Sequence, residues 1–274
     1  DVFISINHPW AIIAKAASKG REMKIVSTEH NAFEKPDYVK MGFMDRLHKF
    51  YLNRVVDNVT VLTEADKKCI GNRLNNVTVL PNPLAFESVC ELPKKEKISL
   101  ARWRLDAWHV KVFDLFINAW GQICRKYPEW KLRIVGSGAE KIREYLRNIG
   151  AYIDECQFEI LDFDKEIIKQ YQKAAVFVLS SRYEGFGMVL IEAMSQGCAC
   201  IACDYKGRQS EIVSNGVNGL VVEVNNETSI SASLEYLLSN TMLISQYAVM
   251  AIKRANDFSL DRIMKLWDSI LVWE

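Results

Sequence analysis

Two carboxylates, Glu184 and Glu192, flank a glycine-containing loop in the segment SSRYEGFGMVLIEAMSQG. Paired carboxylates can hydrolyse a glycosidic bond when both of them face that bond. Here, however, Gly185 and Gly187 lie between them, and an apolar run follows. Glycines let backbone N–H groups approach a ligand closely, and the start of a helix directs free N–H groups and the positive end of its dipole towards phosphate. The arrangement therefore indicates a ligand clamp rather than a catalytic acid and base.

The elements around this segment are expected to place it at the edge of a sheet. AAVFVLS is typical of a buried parallel strand, SRYEGFG of the loop at its carboxyl end, and MVLIEAMSQG of a helix that begins near Met188 and is closed by Gly197. Open α/β sheets bind ligands at this end of their strands. Glu192 can then accept hydrogen bonds from a vicinal diol such as a ribose, with Glu184 on the other side of the phosphate. The residues indicate a sugar-nucleotide site, and they leave open a solvated helix glutamate beside an ordinary glycine loop.

Short β-rich runs alternate with helical patterns along the whole chain, which predicts an α/β architecture with parallel sheets. Phe113 to Lys126 is predicted to be a helix with an apolar stripe facing the core. The ten predicted strands are DVFISI, KIVSTE, VTVLT, VTVLP, KISLAR, WKLRIVG, FEILDF, AAVFVLS, ACIACD and GLVVEV.

Prolines and a run of Lys and Glu in LPNPLAFESVCELPKKEK predict an exposed linker, with a domain boundary near Leu92. Residues 1–92 then form a first domain with about four strands, and residues 93–257 a second domain with about six. Residues 258–274 have amphipathic helical spacing after a Ser259 cap and are expected to pack back across the domains.

Composition excludes several classes of protein. The 274 residues carry a net charge of only +1, so no nucleic-acid partner is indicated. Seven cysteines, mostly in apolar runs such as CACIACD, indicate thiols in a reducing compartment, and no second Cys or His cluster completes a metal site. No apolar run approaches the roughly 20 residues that span a bilayer. We expect a cytoplasmic protein that needs neither a metal nor another cofactor.

The segment SRYEGFGMVLIEAMSQGCACIACDYKGRQSEIVSNGVNGLVVEV closely resembles the donor-binding segment of the retaining glycosyltransferases of family 4. Those enzymes carry a Glu, seven residues and a second Glu, then a strand and a loop similar to EIVSNGVNGLVV. VTVLPNPLAF, KYPEWKLRIVGSGAE and YQKAAVFVLSSRYEGFG occur here in the family's order. The resemblance implies the GT-B fold, with two Rossmann-like domains facing a cleft. It also implies that the first domain is incomplete, because the chain begins within it.

The resemblance assigns roles to the opening segment. Glu192 looks like the family residue that binds the ribose hydroxyls of the nucleotide, and Glu184 like the one that contacts the transferred sugar. The sugar and phosphates of the donor, a UDP- or GDP-sugar, are expected to lie against the loop and helix start formed by Gly185, Phe186, Gly187 and Met188.

Further candidates come from both domains. Arg102 and Lys111 resemble the Arg and Lys that contact the donor diphosphate, and Arg104 is the alternative to Arg102. His30, in KIVSTEHN, resembles the cleft histidine near the transferred sugar, and His8 is a weaker candidate.

Gly136 belongs to a GSG that lacks the third glycine of a dinucleotide-binding motif. It is therefore expected to form a turn that lines the cleft.

The implied activity is metal-independent transfer of a hexose or N-acetylhexosamine from a nucleotide diphosphate sugar to a glycan or lipid-linked acceptor in polysaccharide biosynthesis. Ala101, Val112 and Asp162 stand where the family usually has glycine, which leaves open a non-catalytic sugar-nucleotide-binding module. A nucleotide-sugar epimerase of similar fold is a third hypothesis.

The segment KMGFMDRLHKFYLNRVV mixes basic with apolar side chains. This pattern favours an ordinary packed helix, and it is also consistent with a basic amphipathic surface that contacts lipid headgroups at the inner face of the membrane. Its basic residues are Lys40, Arg46, Lys49 and Arg54.

Overall fold

A computed structural model describes residues 1–6, 9–35, 40–103, 113–137, 139–149, 157–162 and 166–272 of the chain. All ten predicted strands are present. The strands are β1 (Val2–Ile6), β2 (Lys24–Thr28), β3 (Asn58–Val61), β4 (Val77–Val79), β5 (Glu96–Trp103), β6 (Lys131–Gly136), β7 (Phe158–Leu161), β8 (Ala174–Leu179), β9 (Ala199–Asp204) and β10 (Gly219–Glu223).

Helices alternate with most of these strands, as the pattern predicts, and three helices follow β10. They are α1 (Trp10–Ala17), α2 (Phe43–Phe50), α3 (Glu64–Ile70), α4 (Phe113–Ile123), α5 (Ala139–Ile149), α6 (Ile167–Lys173), α7 (Met188–Ser195), α8 (Glu227–Leu238), α9 (Thr241–Ala255) and α10 (Leu260–Leu271). The helix predicted over residues 113–126 is α4 followed by one 3₁₀ turn at Cys124–Lys126. Within the described residues, no helix combines the length and the apolarity needed to cross a membrane.

The chain divides by its contacts into two compact units. Unit 1 consists of Asp1–Pro83, Glu184–Phe186 and Phe258–Glu274, and unit 2 of Leu84–Tyr183 and Gly187–Asp257. The division thus falls between Pro83 and Leu84, well before the boundary expected near Leu92. The boundary lies earlier because the proline-rich segment packs within unit 2. The Val89 N–H donates to the Ser195 carbonyl at 2.9 Å, and Gln196 Nε2 donates to the Glu87 carbonyl, also at 2.9 Å.

Unit 1 is built on a four-stranded parallel sheet in the order β1-β2-β3-β4. The core on one face of this sheet includes Ile25, Phe33 and Ile70. On the other, Val26 and Leu80 pack with Ile263 and Ile270 of α10. The amphipathic C-terminal helix therefore buries its apolar stripe against the sheet of unit 1.

Unit 2 is built on a six-stranded parallel sheet in the order β10-β9-β8-β5-β6-β7. Its core includes the apolar stripe of α4, in which Phe116, Ile117 and Trp120 are fully buried at three- and four-residue spacing. Amphipathic helices therefore alternate with β-rich runs in the sequence because the helices cover the sheet with their apolar faces.

Candidate functional site

The sheet of unit 2 has a switch point between β5 and β8. The chain proceeds outward from β5 to β6 and β7, and outward in the other direction from β8 to β9 and β10, while β5 and β8 pair directly at Leu100 and Phe177. Ligands of open α/β sheets bind in the crevice beyond the carboxyl ends of the two strands at such a point. Arg102 lies near the end of β5, and the loop with the two glycines follows β8.

Arg102 and Glu192 form an ion pair at this switch point. The Nη1 atom of Arg102 lies 2.8 Å from Oε2 of Glu192. Glu192 lies in α7 and is buried, whereas Arg102 is partly exposed. The sequence predicts that both residues contact the same nucleotide, and the structure brings them together across 90 positions of the chain.

Tyr171 is a third member of this cluster, and none of the sequence motifs described above includes it as a site residue. Its hydroxyl donates to Oε2 of Glu192 at 3.1 Å. Burial raises the pKa of Tyr171 well above its ordinary value, and the neighbouring charge of Glu192 raises it further. The hydroxyl therefore keeps its proton and acts as a donor. The available signal was the tyrosine itself, the one buried residue of α6, because a buried tyrosine hydroxyl usually finds a partner.

Helix α7 begins as predicted at Met188. Gly187 precedes it with φ +95°, a left-handed conformation that favours glycine, and no side chain caps this end of the helix. Such a start presents backbone N–H groups and the positive end of the helix dipole. The helix is closed by Gly197 with φ +78°, also as predicted.

Glu184, Gly185 and Phe186 belong by their contacts to unit 1. A Cβ atom at Gly185 would lie 2.9 Å from the backbone nitrogen of Ala32, so only glycine fits there without a shift of the backbone. Phe186 is buried and packs edge to face on Phe258, with ring centroids 5.5 Å apart. The loop therefore lies against residues that directly follow His30 in the chain.

His30 is exposed, and the residue before it, Glu29, forms a buried ion pair with Lys49. The Nζ atom of Lys49 lies 2.8 Å from Oε2 of Glu29, and these side chains are only 6% and 7% exposed, respectively. Lys49 also lies over the ring of Phe33, 4.9 Å from its centroid. Lys49 is therefore not part of an exposed basic surface, and its burial agrees with a packed helix: a partner distant in sequence neutralises its charge and lets it be buried.

The remaining candidates are placed as follows. Gly136 is the last residue of β6 and is paired with Trp103 of β5. It therefore lies, like Arg102, at the carboxyl ends of these strands. Lys111, Arg104 and His8 lie outside the described residues, so their predicted roles stay predictions.

The cysteines and acidic residues that the structure describes form no metal site. No group of three or more His, Cys, Asp or Glu side chains that could hold a metal occurs among them. Cys198, Cys200 and Cys203 are buried free thiols. Burial raises the pKa of Cys203 to about 12, which keeps this thiol protonated.

Comparison with known proteins identifies the family. The model of the family described as "Glycosyl transferases group 1" matches residues 87–257. The chain belongs to this family, and its two parallel-sheet α/β units have the GT-B type of fold.

Two curated relatives and one solved structure are similar to most of this chain. The amylovoran biosynthesis glycosyltransferase AmsD of Erwinia amylovora is 32% identical over 81% of this chain and 64% of its own length. A Campylobacter jejuni N-acetylgalactosaminyltransferase, named for a diphospho-undecaprenol-linked substrate, is 27% identical over 96% of this chain and 73% of its own. The structure of Anabaena HepE in complex with UDP superposes with a TM-score of 0.81 and 18% identity, over 98% of this chain and 78% of that one.

Proposed function

We propose that the chain is a retaining, metal-independent glycosyltransferase of family 4. It transfers a hexose or N-acetylhexosamine from a nucleotide diphosphate sugar to a glycan or lipid-linked acceptor in polysaccharide biosynthesis. The observation that carries the proposal is the contact of Arg102 with Glu192 at the switch point of the unit 2 sheet. A guanidinium suited to phosphate and a carboxylate suited to sugar hydroxyls thus lie one hydrogen bond apart.

The known proteins support a UDP-sugar as the donor and a glycan or lipid-linked acceptor. HepE was solved with UDP, AmsD is named for amylovoran biosynthesis, and the Campylobacter enzyme is named for a diphospho-undecaprenol-linked substrate. A GDP-sugar is the alternative donor.

The proposed chemistry uses the charge that develops on the leaving group. The bond between the anomeric carbon and the diphosphate oxygen breaks, and a bond from the acceptor oxygen to the same carbon forms on the same face. The acceptor proton passes to the departing diphosphate. Arg102, with Lys111 in the role that the resemblance implies, stabilises the negative charge of that group.

Glu184 contacts the transferred sugar in this proposal, and His30 hydrogen bonds to the sugar or acceptor. The position of Gly185 against the backbone that follows His30 supports placing these two roles beside each other. Backbone N–H groups at Met188 and the preceding glycine loop hold the phosphates, in keeping with the uncapped start of α7.

We further propose that the enzyme works in the cytoplasm, with peripheral contact to the inner face of the membrane through α2. Phe43 is 79% exposed, Met44 is also exposed, and the basic residues Lys40, Arg46 and Arg54 are exposed in the same segment. Apolar and basic side chains together favour anionic lipid headgroups. Co-sedimentation with phosphatidylglycerol vesicles should fall on substitution of Phe43 and Met44 by Ser, and equal binding to neutral phosphatidylcholine vesicles would argue against the charge component.

Nucleotide titration tests the donor site. UDP and GDP are titrated calorimetrically into the parent chain, Glu192→Ala and the matched surface variant Glu223→Ala. We expect Glu192→Ala to weaken binding of the preferred nucleotide about tenfold or more, because it removes a charged hydrogen-bond acceptor. Glu223 is exposed at the end of β10, and its variant should bind like the parent. Unchanged binding in Glu192→Ala would refute the assignment.

Release of nucleotide from the donor sugar tests the catalytic assignment. Glu184→Gln should bind the nucleotide like the parent chain but lose most of the release rate, since its carboxylate contacts the sugar and not the nucleotide. Product analysis distinguishes the alternatives: an epimerase changes the donor without releasing the nucleotide, and a binding module leaves the donor intact.

A further inference from the structure

Two donors from different elements converge on one oxygen of Glu192. Arg102 near the end of β5 donates to Oε2 at 2.8 Å, and the Tyr171 hydroxyl of α6 donates to the same atom at 3.1 Å. Among the residues that the structure describes, none donates a hydrogen bond to the other oxygen, Oε1. Oε2 of the carboxylate is thus held by two side chains from different elements.

The ring of Tyr171 is fixed by its surroundings. The residue is completely buried, its ring packs edge to face on Phe177 with centroids 5.6 Å apart, and it also contacts the ring of Phe86. A side chain packed in this way keeps its hydroxyl in one place, so it can hold the carboxylate of Glu192 in a single orientation.

The backbone of Tyr171 is fixed as well. Its carbonyl accepts hydrogen bonds from Lys95 Nζ at 2.9 Å and from Cys198 Sγ at 3.1 Å. Lys95 also donates to the carbonyl of Gln196 at 2.7 Å, directly after the helix that carries Glu192. The half-buried Lys95 therefore ties α6, which carries the hydroxyl, to the end of α7, which carries its acceptor.

We infer that Tyr171 is a positioning residue for nucleotide recognition. With Arg102 it occupies Oε2 of Glu192, so that Oε1 is directed at a hydroxyl of the ribose. The inference rests on the proposed function and deepens it, because it makes recognition of a ribonucleotide over a deoxynucleotide depend on a residue that does not itself touch the ligand. A carboxylate with one oxygen saturated loses less freedom on binding than an unrestrained one.

The alternative is that Tyr171 only stabilises the core by satisfying its own hydroxyl. The two roles differ in which ligands they affect. A positioning role acts through the ribose hydroxyls. Removal of the Tyr171 hydroxyl should then weaken the binding of a ribonucleotide and leave the binding of an analogue without those hydroxyls unchanged. If Tyr171 acts only on stability, removal of its hydroxyl should lower the melting temperature and change the affinity for both ligands equally.

The experiment is calorimetric titration of Tyr171→Phe with UDP and with 2′,3′-dideoxy-UDP, or with the GDP pair if the parent chain prefers GDP. Phe keeps the ring and removes the hydroxyl. We expect UDP affinity to fall about five- to tenfold and the affinity for the dideoxy analogue to change less than about twofold. In a Glu192→Gln background, the same substitution should have little further effect on UDP affinity.

Tyr247→Phe is the matched control, since Tyr247 is a buried tyrosine of α9 in the same unit. It should bind both ligands like the parent chain. Equal losses for UDP and the dideoxy analogue in Tyr171→Phe, or no loss for either, would overturn the inference. Absence of nucleoside diphosphate binding by the parent chain would instead overturn the proposed function and this inference together.

A second measurement keeps the hydroxyl and so avoids a folding defect. 3-Fluorotyrosine incorporated at position 171 reports on the hydroxyl by ¹⁹F NMR. We expect its resonance to shift with UDP and to move much less with the dideoxy analogue. Identical shifts with both ligands would contradict the inference.

Discussion

Lys49 and Glu29 form a buried ion pair directly before His30 in unit 1, with Lys49 Nζ 2.8 Å from Glu29 Oε2. The other oxygen of Glu29 accepts from the backbone N–H of Asn31 at 3.3 Å. The pair therefore connects α2 to the loop that follows β2. Because this loop carries His30 and the backbone on which Gly185 packs, the ion pair fixes the part of unit 1 that the proposed mechanism uses.

Lys49→Met should destabilise the chain strongly. The substitution leaves the carboxylate of Glu29 buried without its cation, which costs about 3 to 5 kcal/mol of the free energy of unfolding. Lys97→Met is the control, because its pair with Glu129 is about half exposed and is expected to change the free energy by under about 1 kcal/mol. Urea unfolding of both variants gives the comparison. Equal losses in the two variants would show that the Lys49 pair contributes no more than a surface pair.

Gly185→Ala should reduce turnover more than stability. The added Cβ atom would lie 2.9 Å from the Ala32 nitrogen and 3.2 Å from the backbone of Asn31, so the backbone must shift. A displacement of a few tenths of an ångström in a loop that carries Glu184 is expected to lower the rate of nucleotide release about tenfold. Gly121→Ala, in α4 with no heavy atom within 4 Å of its Cβ position, is the control and should turn over like the parent chain. Full activity in Gly185→Ala would mean that this contact does not position the loop.

How much of the site the sequence predicts depends on the range of the interaction. The strand before Ser180, the glycine loop and the start of α7 at Met188 follow from neighbouring residues, and they were predicted correctly. Pairing of Arg102 with Glu192 spans 90 positions, and the contact of Tyr171 with the same carboxylate spans 21. Helical or strand periodicity carries no information about such partners, because the order of the strands in the sheet decides which distant residues meet.

Burial of charge is a related case. Lys49 lies among basic and apolar residues of α2, where local pattern suggests an exposed lysine. Its real environment is decided by Glu29, which follows a different element. Only the contacts of α2 with the segment that follows β2 reveal that this lysine is a core residue.

Asp57 should make the stability of the chain depend on acid pH. Burial acts to raise its pKa, but hydrogen bonds from Lys15 and from the backbone N–H of Ile25 outweigh burial and hold the pKa below the ordinary value of 3.8. A carboxyl group with a lowered folded-state pKa contributes stability above the unfolded-state value and loses it as pH falls through the folded-state value. We therefore expect Asp57→Asn to be less stable than the parent chain at pH 7 and the difference to shrink below about pH 4.

Chemical denaturation of both chains between pH 7 and pH 3 measures this difference. The comparison with the asparagine variant isolates Asp57 from other acids with lowered pKa values, such as Glu159 in unit 2. A difference that grows on acidification would contradict the assigned direction of the pKa shift.

Gly197 should tolerate substitution less well than Gly207. Both have left-handed backbone conformations, with φ of +78° and +85° respectively, so a change to Ala strains both. That strain costs roughly 1 kcal/mol. At Gly197, however, the new Cβ atom would also lie 2.7 Å from Cδ1 of Leu92, whereas nothing lies within 4 Å at Gly207.

Thermal unfolding of Gly197→Ala and Gly207→Ala therefore separates backbone strain from the contact. We expect Gly197→Ala to lose up to about 1 kcal/mol more than Gly207→Ala, because the end of the Leu92 side chain must move aside. An additional Leu92→Ala substitution should remove most of that excess, because it deletes the atom that the Cβ meets. If the two glycine variants melt alike, the segment after β4 does not pack on the end of α7 in solution as closely as the structure places it.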